Sequence, residues 1–144
     1  MIHLQKPEKF NSKFEVVSCF FEQDGKILLL HRQDHKPQGN TWGVPAGKVE
    51  DGENPLQAIV RELEEETGYG ADEDQFKLLG TVFVQYPDYD FIYYTFYFPL
   101  TGNYEVKIES KAHKAFEWMT PEDALNKDLI PDLDNCIKLY YNLS

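Results

Sequence analysis

The stretch that decides how this chain reads is GKVEDGENPLQAIVRELEEETGY, Gly47 to Tyr69. Its middle predicts a helix. Asn54 is an N-cap residue, Pro55 takes the first helical position, Gln57 stands where a capping pair closes, and Gly68 suits the C-terminal stop. The helix ends on RELEEETG, which crowds Glu62, Glu64, Glu65 and Glu66 where the backbone dipole is already negative. Like charges at helical spacing oppose folding by roughly 0.2–0.5 kcal/mol per pair, and the dipole adds roughly 0.3–1 kcal/mol. At about 100° per residue, Glu62, Glu65 and Glu66 share one sector with the small Ala58. Leu56, Ile59, Val60 and Leu63 share another, which must face a core, and Glu64 falls in neither. Three converging carboxylates suit a hard divalent cation such as Mg2+ or Mn2+, whose charge would remove both penalties. The alternative is an acid-rich face that is simply solvated.

Working outward, FEVVSCFFEQ (14–23), the turn Asp24-Gly25 and KILLLHR (26–32) read as a β-hairpin. QDHKPQGN is a polar loop, and TWGVPAG is a short strand stopped by Pro45 and Gly47. FKLLGTVFVQY (76–86) and DFIYYTFYFPL (90–100) are aromatic and β-branched strands, with NYEVKI (103–108) and AFEWM (115–119) as further strand candidates. TPEDALNKD opens a helix at its N-cap Thr120, and DLDNCIKLYYNL carries Leu133, Ile137 and Tyr140 on one stripe of a last helix. The class is α+β, a mixed and largely antiparallel sheet with a few helices packed on it. Residues 1–144 read as a single domain, because no repeat, low-complexity tract or long linker divides them.

The formal net charge of −11 sets an acidic surface against long phosphate polymers, and no basic block offsets it, so no nucleic-acid polymer is expected as partner. A small anionic ligand stays compatible, since bound cations supply positive charge. Cys19 and Cys136 have no ligand-like spacing and read as reduced, buried thiols. No signal-like core and no apolar run near the ~18 residues of a membrane span are visible, so no membrane contact and a cytoplasmic location are the expectations.

From Gly47 the pattern is glycine, five residues, Glu53, seven residues, then Arg61-Glu62-Leu63-x-Glu65-Glu66-x-Gly68-Tyr69. This resembles the signature of the Nudix hydrolases, G-x5-E-x7-R-E-U-x-E-E-x-G-U with U bulky and apolar. Every fixed letter is present, and Tyr69 stands where an aliphatic residue is commoner. LLLHR, WGVPAGKVE and EWMTPEDA also look like family segments. The resemblance implies an α/β/α sandwich around a mixed sheet and a metal-dependent pyrophosphohydrolase. Such an enzyme cleaves a nucleoside diphosphate linked to another moiety by water attack at phosphorus. It further implies Glu62, Glu65, Glu66 and the carbonyl of Gly47 as ligands for Mg2+ or Mn2+, with Arg61 orienting the glutamates through Glu53. In some relatives the glutamate matching Glu62 is also the base. A non-catalytic nucleotide-binding sensor on the same fold is the alternative reading, although such modules tend to lose box glutamates that this chain keeps.

The remaining site residues are more loosely indicated. Many relatives supply a loop glutamate six residues before the tryptophan matched by Trp118. Here that position is Ala112, with Glu109, His113 and Glu117 as neighbours able to stand in. Arg32 is placed to meet a phosphate, and Trp42, Tyr86, Tyr89, Phe91 and Tyr93 to wall a base or sugar. Tyr86 resembles the tyrosine of members that cleave dinucleoside polyphosphates. Pro87 matches a proline associated with ADP-ribose pyrophosphatases, and Asp132 lies where nucleotide-sanitising members read a purine edge. The resemblance thus implies a small nucleotide as substrate: a nucleoside triphosphate, a dinucleoside polyphosphate or an ADP-sugar. Both a monomer and a homodimer are compatible with the sequence.

Overall fold

In the computed structural model, which describes residues 2–144, the chain order begins β1 (Ile2–His3), β2 (Ser12–Gln23), β3 (Lys26–Arg32), β4 (Trp42–Gly43) and β5 (Ala46–Lys48). It continues with α1 (Pro55–Thr67), β6 (Lys77–Gln85), β7 (Asp90–Pro99), β8 (His113–Met119), α2 (Pro121–Ala124) and α3 (Leu133–Tyr140). A short 3-10 turn, Glu73–Gln75, links α1 to β6. The strands lie in the order β1-β6-β7-β2-β3-β4, with β5 joined to β2 and β8 to β3. The β2–β7 ladder is parallel and the other pairings are antiparallel.

Apolar runs such as VSCFF and ILLLH arise because both faces of the central strands are covered. Val17, Cys19 and Phe21 of β2, with Leu28, Leu30, Phe96 and Phe98, pack under Ala58, Ile59 and Leu63 of α1. The alternate residues Phe20, Ile27 and Leu29 pack under Ala124, Leu133, Cys136 and Ile137 of α2 and α3. The layers are thus helix, sheet, helix. Leu63 is fully buried at the centre of the first core, so Leu63→Ala removes contacts worth about 2–5 kcal/mol. Both cysteines are buried free thiols. No helix among the described residues is long and apolar enough to cross a membrane.

Several local expectations change. The Asp24-Gly25 turn forms with both residues at positive φ, but the hairpin ladder is only two pairs long, Glu22↔Ile27 and Gln23↔Lys26. Beyond it β2 turns away to pair with β7 and β5. TWGVPAG is two strands rather than one, because Trp42–Gly43 pairs with β3 while Ala46–Lys48 pairs with β2. NYEVKI is not a strand. Its Val106 is drawn into the core and its Lys107 N–H bonds Thr67 O at 2.9 Å, so contacts with α1 replace a ladder. On α1, Ala58 is fully buried while Val60 stays half-exposed, so the helix leans its small residue onto the sheet.

Candidate active site

Helix α1 is fixed at both ends by its own sequence. Asn54 and Gln57 exchange side-chain bonds with each other's backbone N–H groups at 2.8 and 2.9 Å, and Gly68 closes the helix in the left-handed region with its N–H on Glu64 O at 2.8 Å. Such a cap stabilises a helix by about 1 kcal/mol. The acidic last turn then projects toward β5.

Arg61 sits at the hub of the acids. Its Nε and one terminal nitrogen donate to the two Glu53 oxygens at 2.8 and 3.0 Å, a bidentate contact. The other terminal nitrogen donates to Glu62 at 2.7 Å and Glu65 at 3.1 Å. A further bond to the Lys48 carbonyl at 3.0 Å ties the helix to β5. These acids raise the Arg61 pKa, Glu53 first, and in return the Arg61 hydrogen bond and the Glu50 N–H hold Glu53 below the usual carboxylate range.

Glu66 behaves differently. It is only 8% exposed, and its carboxylate accepts the Ala46 N–H at 3.3–3.4 Å. Burial, followed by a hydrogen bond and charge from Glu62, pushes its pKa well up, against smaller opposing effects of the Ala46 N–H and Arg32. Glu62 in turn lies on Gly47, where any Cβ would overlap its carboxylate; only glycine permits that approach. Two carboxyl groups in contact at a buried position require either a shared proton or a cation. That donor set is chemically suited to a hard divalent ion. Among the described residues, however, no three His, Cys, Asp or Glu side chains already stand in a coordinating arrangement. The three-way convergence read from the helix is therefore partial: Glu62 and Glu66 meet, while Glu65 is half-exposed and drawn to Arg61.

These acids open onto a pocket of about 230 Å³ lined by Arg32, Ala46, Glu62, Glu65, Glu66, Glu109, Ala112 and His113. Glu109 comes from the loop before β8, where the N–H groups of Lys111 and Ala112 each donate to its carboxylate at 3.1 Å. His113 is buried, its Nε2 4.0 Å from Glu66. Its Nδ1 has no hydrogen-bond partner among the described residues. Burial, then the Arg32 charge, lowers the imidazole pKa to about 4, so the ring is neutral. Arg32 donates through Nε to Pro37 O at 3.0 Å.

Other expected residues fall elsewhere. Glu117 projects from β8 to Lys127 at 3.5 Å and does not line the pocket, since it stands on the strand four residues beyond His113. Trp42 stacks on His31 at 4.2 Å and has the Lys127 ammonium 4.8 Å from its ring centre, so it joins no wall with the tyrosines. Tyr86 donates to Asp132 at 2.9 Å, and both line a second cavity with Ile2, Val82, Val84, Phe91, Tyr93, Pro131, Leu133 and Cys136. Asp132 makes no side-chain cap on α3; at φ 69° its carboxylate accepts the Tyr86 hydroxyl instead. Tyr86, Tyr89, Phe91 and Phe14 form one aromatic cluster, with the Lys48 ammonium 4.4 Å from the Phe14 ring centre. The Ala46 N–H is a site group that sequence reading passed over, because a backbone donor carries no residue signature.

Comparison with known proteins points to one family and one fold. The NUDIX domain model matches residues 13–140. The chain is 32% identical over 123 residues to the CTP pyrophosphohydrolase of Escherichia coli (strain K12), covering 81% of this chain and 83% of that protein. It is also 32% identical over 115 residues to the 8-oxo-dGTP diphosphatase of the same organism, 80% of this chain and 84% of the relative. Among solved structures, the E. coli ORF135 protein superposes with a TM-score of 0.74 at 28% identity, covering 96% and 94% of the two chains.

Proposed function

The chain belongs to the Nudix hydrolases and is a pyrophosphatase by family, and from that premise we propose that it is a divalent-metal-dependent hydrolase of nucleoside triphosphates, cutting a phosphoric anhydride bond by water attack at phosphorus. The observation that carries the metal dependence is the buried Glu62–Glu66 contact seated on Gly47, an arrangement whose charge calls for a cation. Glu62, Glu65, Glu66 and the Gly47 carbonyl would hold Mg2+ or Mn2+. When bound, such an ion neutralises phosphate charge and lowers the pKa of water.

The chain's own residues supply the rest. Arg61, gripped by Glu53 at 2.8 and 3.0 Å, orients the Glu62 and Glu65 carboxylates. Arg32 offers a cation to a substrate phosphate at the pocket rim, and Glu109 brings a carboxylate from the opposite wall. Asp132, held by Tyr86, offers an acceptor to the amino edge of a nucleobase. A triphosphate is favoured over dinucleoside polyphosphates and ADP-sugars because the two relatives that are 32% identical over about four-fifths of this chain are named for acting on one.

The test is a panel of nucleoside triphosphates, dinucleoside polyphosphates and ADP-ribose with Mg2+ or Mn2+, scored for released pyrophosphate and phosphate. Hydrolysis of at least one triphosphate, abolished by EDTA, is the expected result. No turnover of any nucleotide with either metal would overturn the reading, and turnover unaffected by EDTA would overturn the metal dependence.

A further inference from the structure

Residues 100–112, between β7 and β8, have no regular secondary structure, yet they are strapped down. Val106 is buried in the core beneath α1, and the Tyr104 ring meets Tyr69 edge-on at 4.9 Å. At the end of α1 the orphan carbonyl of Thr67 accepts two donors from this loop, the Tyr104 hydroxyl at 3.0 Å and the Lys107 N–H at 2.9 Å. Gly68 lies so close that an added Cβ would stand 2.9 Å from that hydroxyl and 3.3 Å from the Lys107 Cβ. Gln33 pins the far end, its N–H on Ala112 O and its side-chain amide on Ser110 O, both at 2.9 Å.

The strap joins the two sources of pocket carboxylates. Thr67 is the residue after Glu66, and Lys107 is two residues before Glu109. The Thr67 carbonyl therefore links the chain next to a helix acid with the chain near a loop acid, two acids that line one pocket from different elements. We infer that Tyr104 is a positioning residue, whose hydroxyl on Thr67 holds Glu109 in register with Glu66. This rests on the hydrolase reading above and on Glu109 taking part in it. Displacing a catalytic group by about 1 Å can cost as much as 100-fold in rate, so loss of one of two anchors is expected to cost about 10-fold.

Tyr104→Phe removes the hydroxyl and keeps the ring on Tyr69. Alone, it should lower kcat about 10-fold with KM within about 3-fold. In a Glu109→Gln background the same change should alter kcat by less than about 2-fold, because the residue it positions is already disabled. Hydrogen exchange on the intact chain should show the Lys107 amide, now the single anchor, exchanging faster than in wild type while the amides of α1 stay protected. Equal losses in both backgrounds would overturn the positioning role, as would wild-type kcat in Tyr104→Phe or unchanged protection at Lys107. A wild-type chain that hydrolyses no nucleotide would instead overturn the hydrolase reading; an active chain indifferent to Tyr104→Phe would sink the positioning role alone.

Discussion

The acidic pocket beside α1 and the Tyr86–Asp132 cavity beside α3 belong to helices on opposite faces of one sheet, and they are built by opposite means. The first is made chiefly from one short stretch: Gly47, Glu53, Arg61, Glu62, Glu65 and Glu66 lie within 20 residues of one another, and the Arg61 guanidinium ties three of the acids together. The second takes Ile2 from β1, Val82 from β6, Tyr93 from β7 and Cys136 from α3, and is mostly apolar. Charge at close quarters needs fixed geometry, which neighbouring residues on one helix supply with little conformational freedom. A shaped cavity needs only complementary walls, which distant segments provide and exchange readily. On the proposed function, the pocket on α1 serves the reaction and the Tyr86–Asp132 side of the sheet serves substrate selection.

The sharpest way to break that division is Glu66→Gln. It should lower kcat at least about 100-fold, the scale of losing a metal ligand or its support, with Mn2+ affinity reduced in a calorimetric titration. Without metal the same variant should be more stable than wild type at pH 8. An acid whose folded pKa is raised loses stability as pH rises from its unfolded value through the folded one, and glutamine removes that loss. A Glu66→Gln enzyme as fast as wild type would end the assignment. Next in size, Arg61→Ala should cost about 10–100-fold in kcat/KM, since it frees Glu53, Glu62 and Glu65 at once. The partly exposed ion pairs that it also removes should lower stability by only about 1–2 kcal/mol, read as a urea midpoint.

On the other side of the comparison, Asp132→Asn should raise KM about 10-fold for the preferred nucleobase while leaving kcat within about 3-fold, since one hydrogen bond to an ionised group is worth about 1.5–3 kcal/mol. A fall in kcat with constant KM would mean that this cavity belongs to the chemistry after all. The smallest effect concerns pH. His113 is held down to about 4 from its ordinary 6.5 by burial and Arg32. Between those values the unfolded chain binds a proton that the folded chain refuses, so stability falls as pH falls through that window. His113→Gln should flatten this part of the urea-midpoint profile between pH 7.5 and 5. The Glu53 contribution is separate, because its lowered pKa makes stability fall only as pH drops below the ordinary glutamate value. An unchanged slope in His113→Gln would contradict the buried, neutral assignment.

What the sequence by itself determined is the local part. The Asn54–Gln57 capping pair, Gly68 at the helix end, the Asp24-Gly25 turn and the alternation of apolar residues through VSCFF all follow from interactions within a few residues, and each is present in the fold. Glu62 and Glu66 meet because i and i+4 positions on a helix face the same way. Glu65 joins them only in part for an equally local reason, since its carboxylate goes to Arg61 one turn back on the same helix. Tertiary packing decided that NYEVKI spends its backbone on Thr67 rather than on a strand, that Glu109 enters the pocket while Glu117 leaves for Lys127, and that Asp132 pairs with Tyr86. The physical reason is range. Capping and helical phase are set by bonds a few ångströms along the chain, whereas a side chain's choice between partners on different elements depends on which surfaces packing has already brought together.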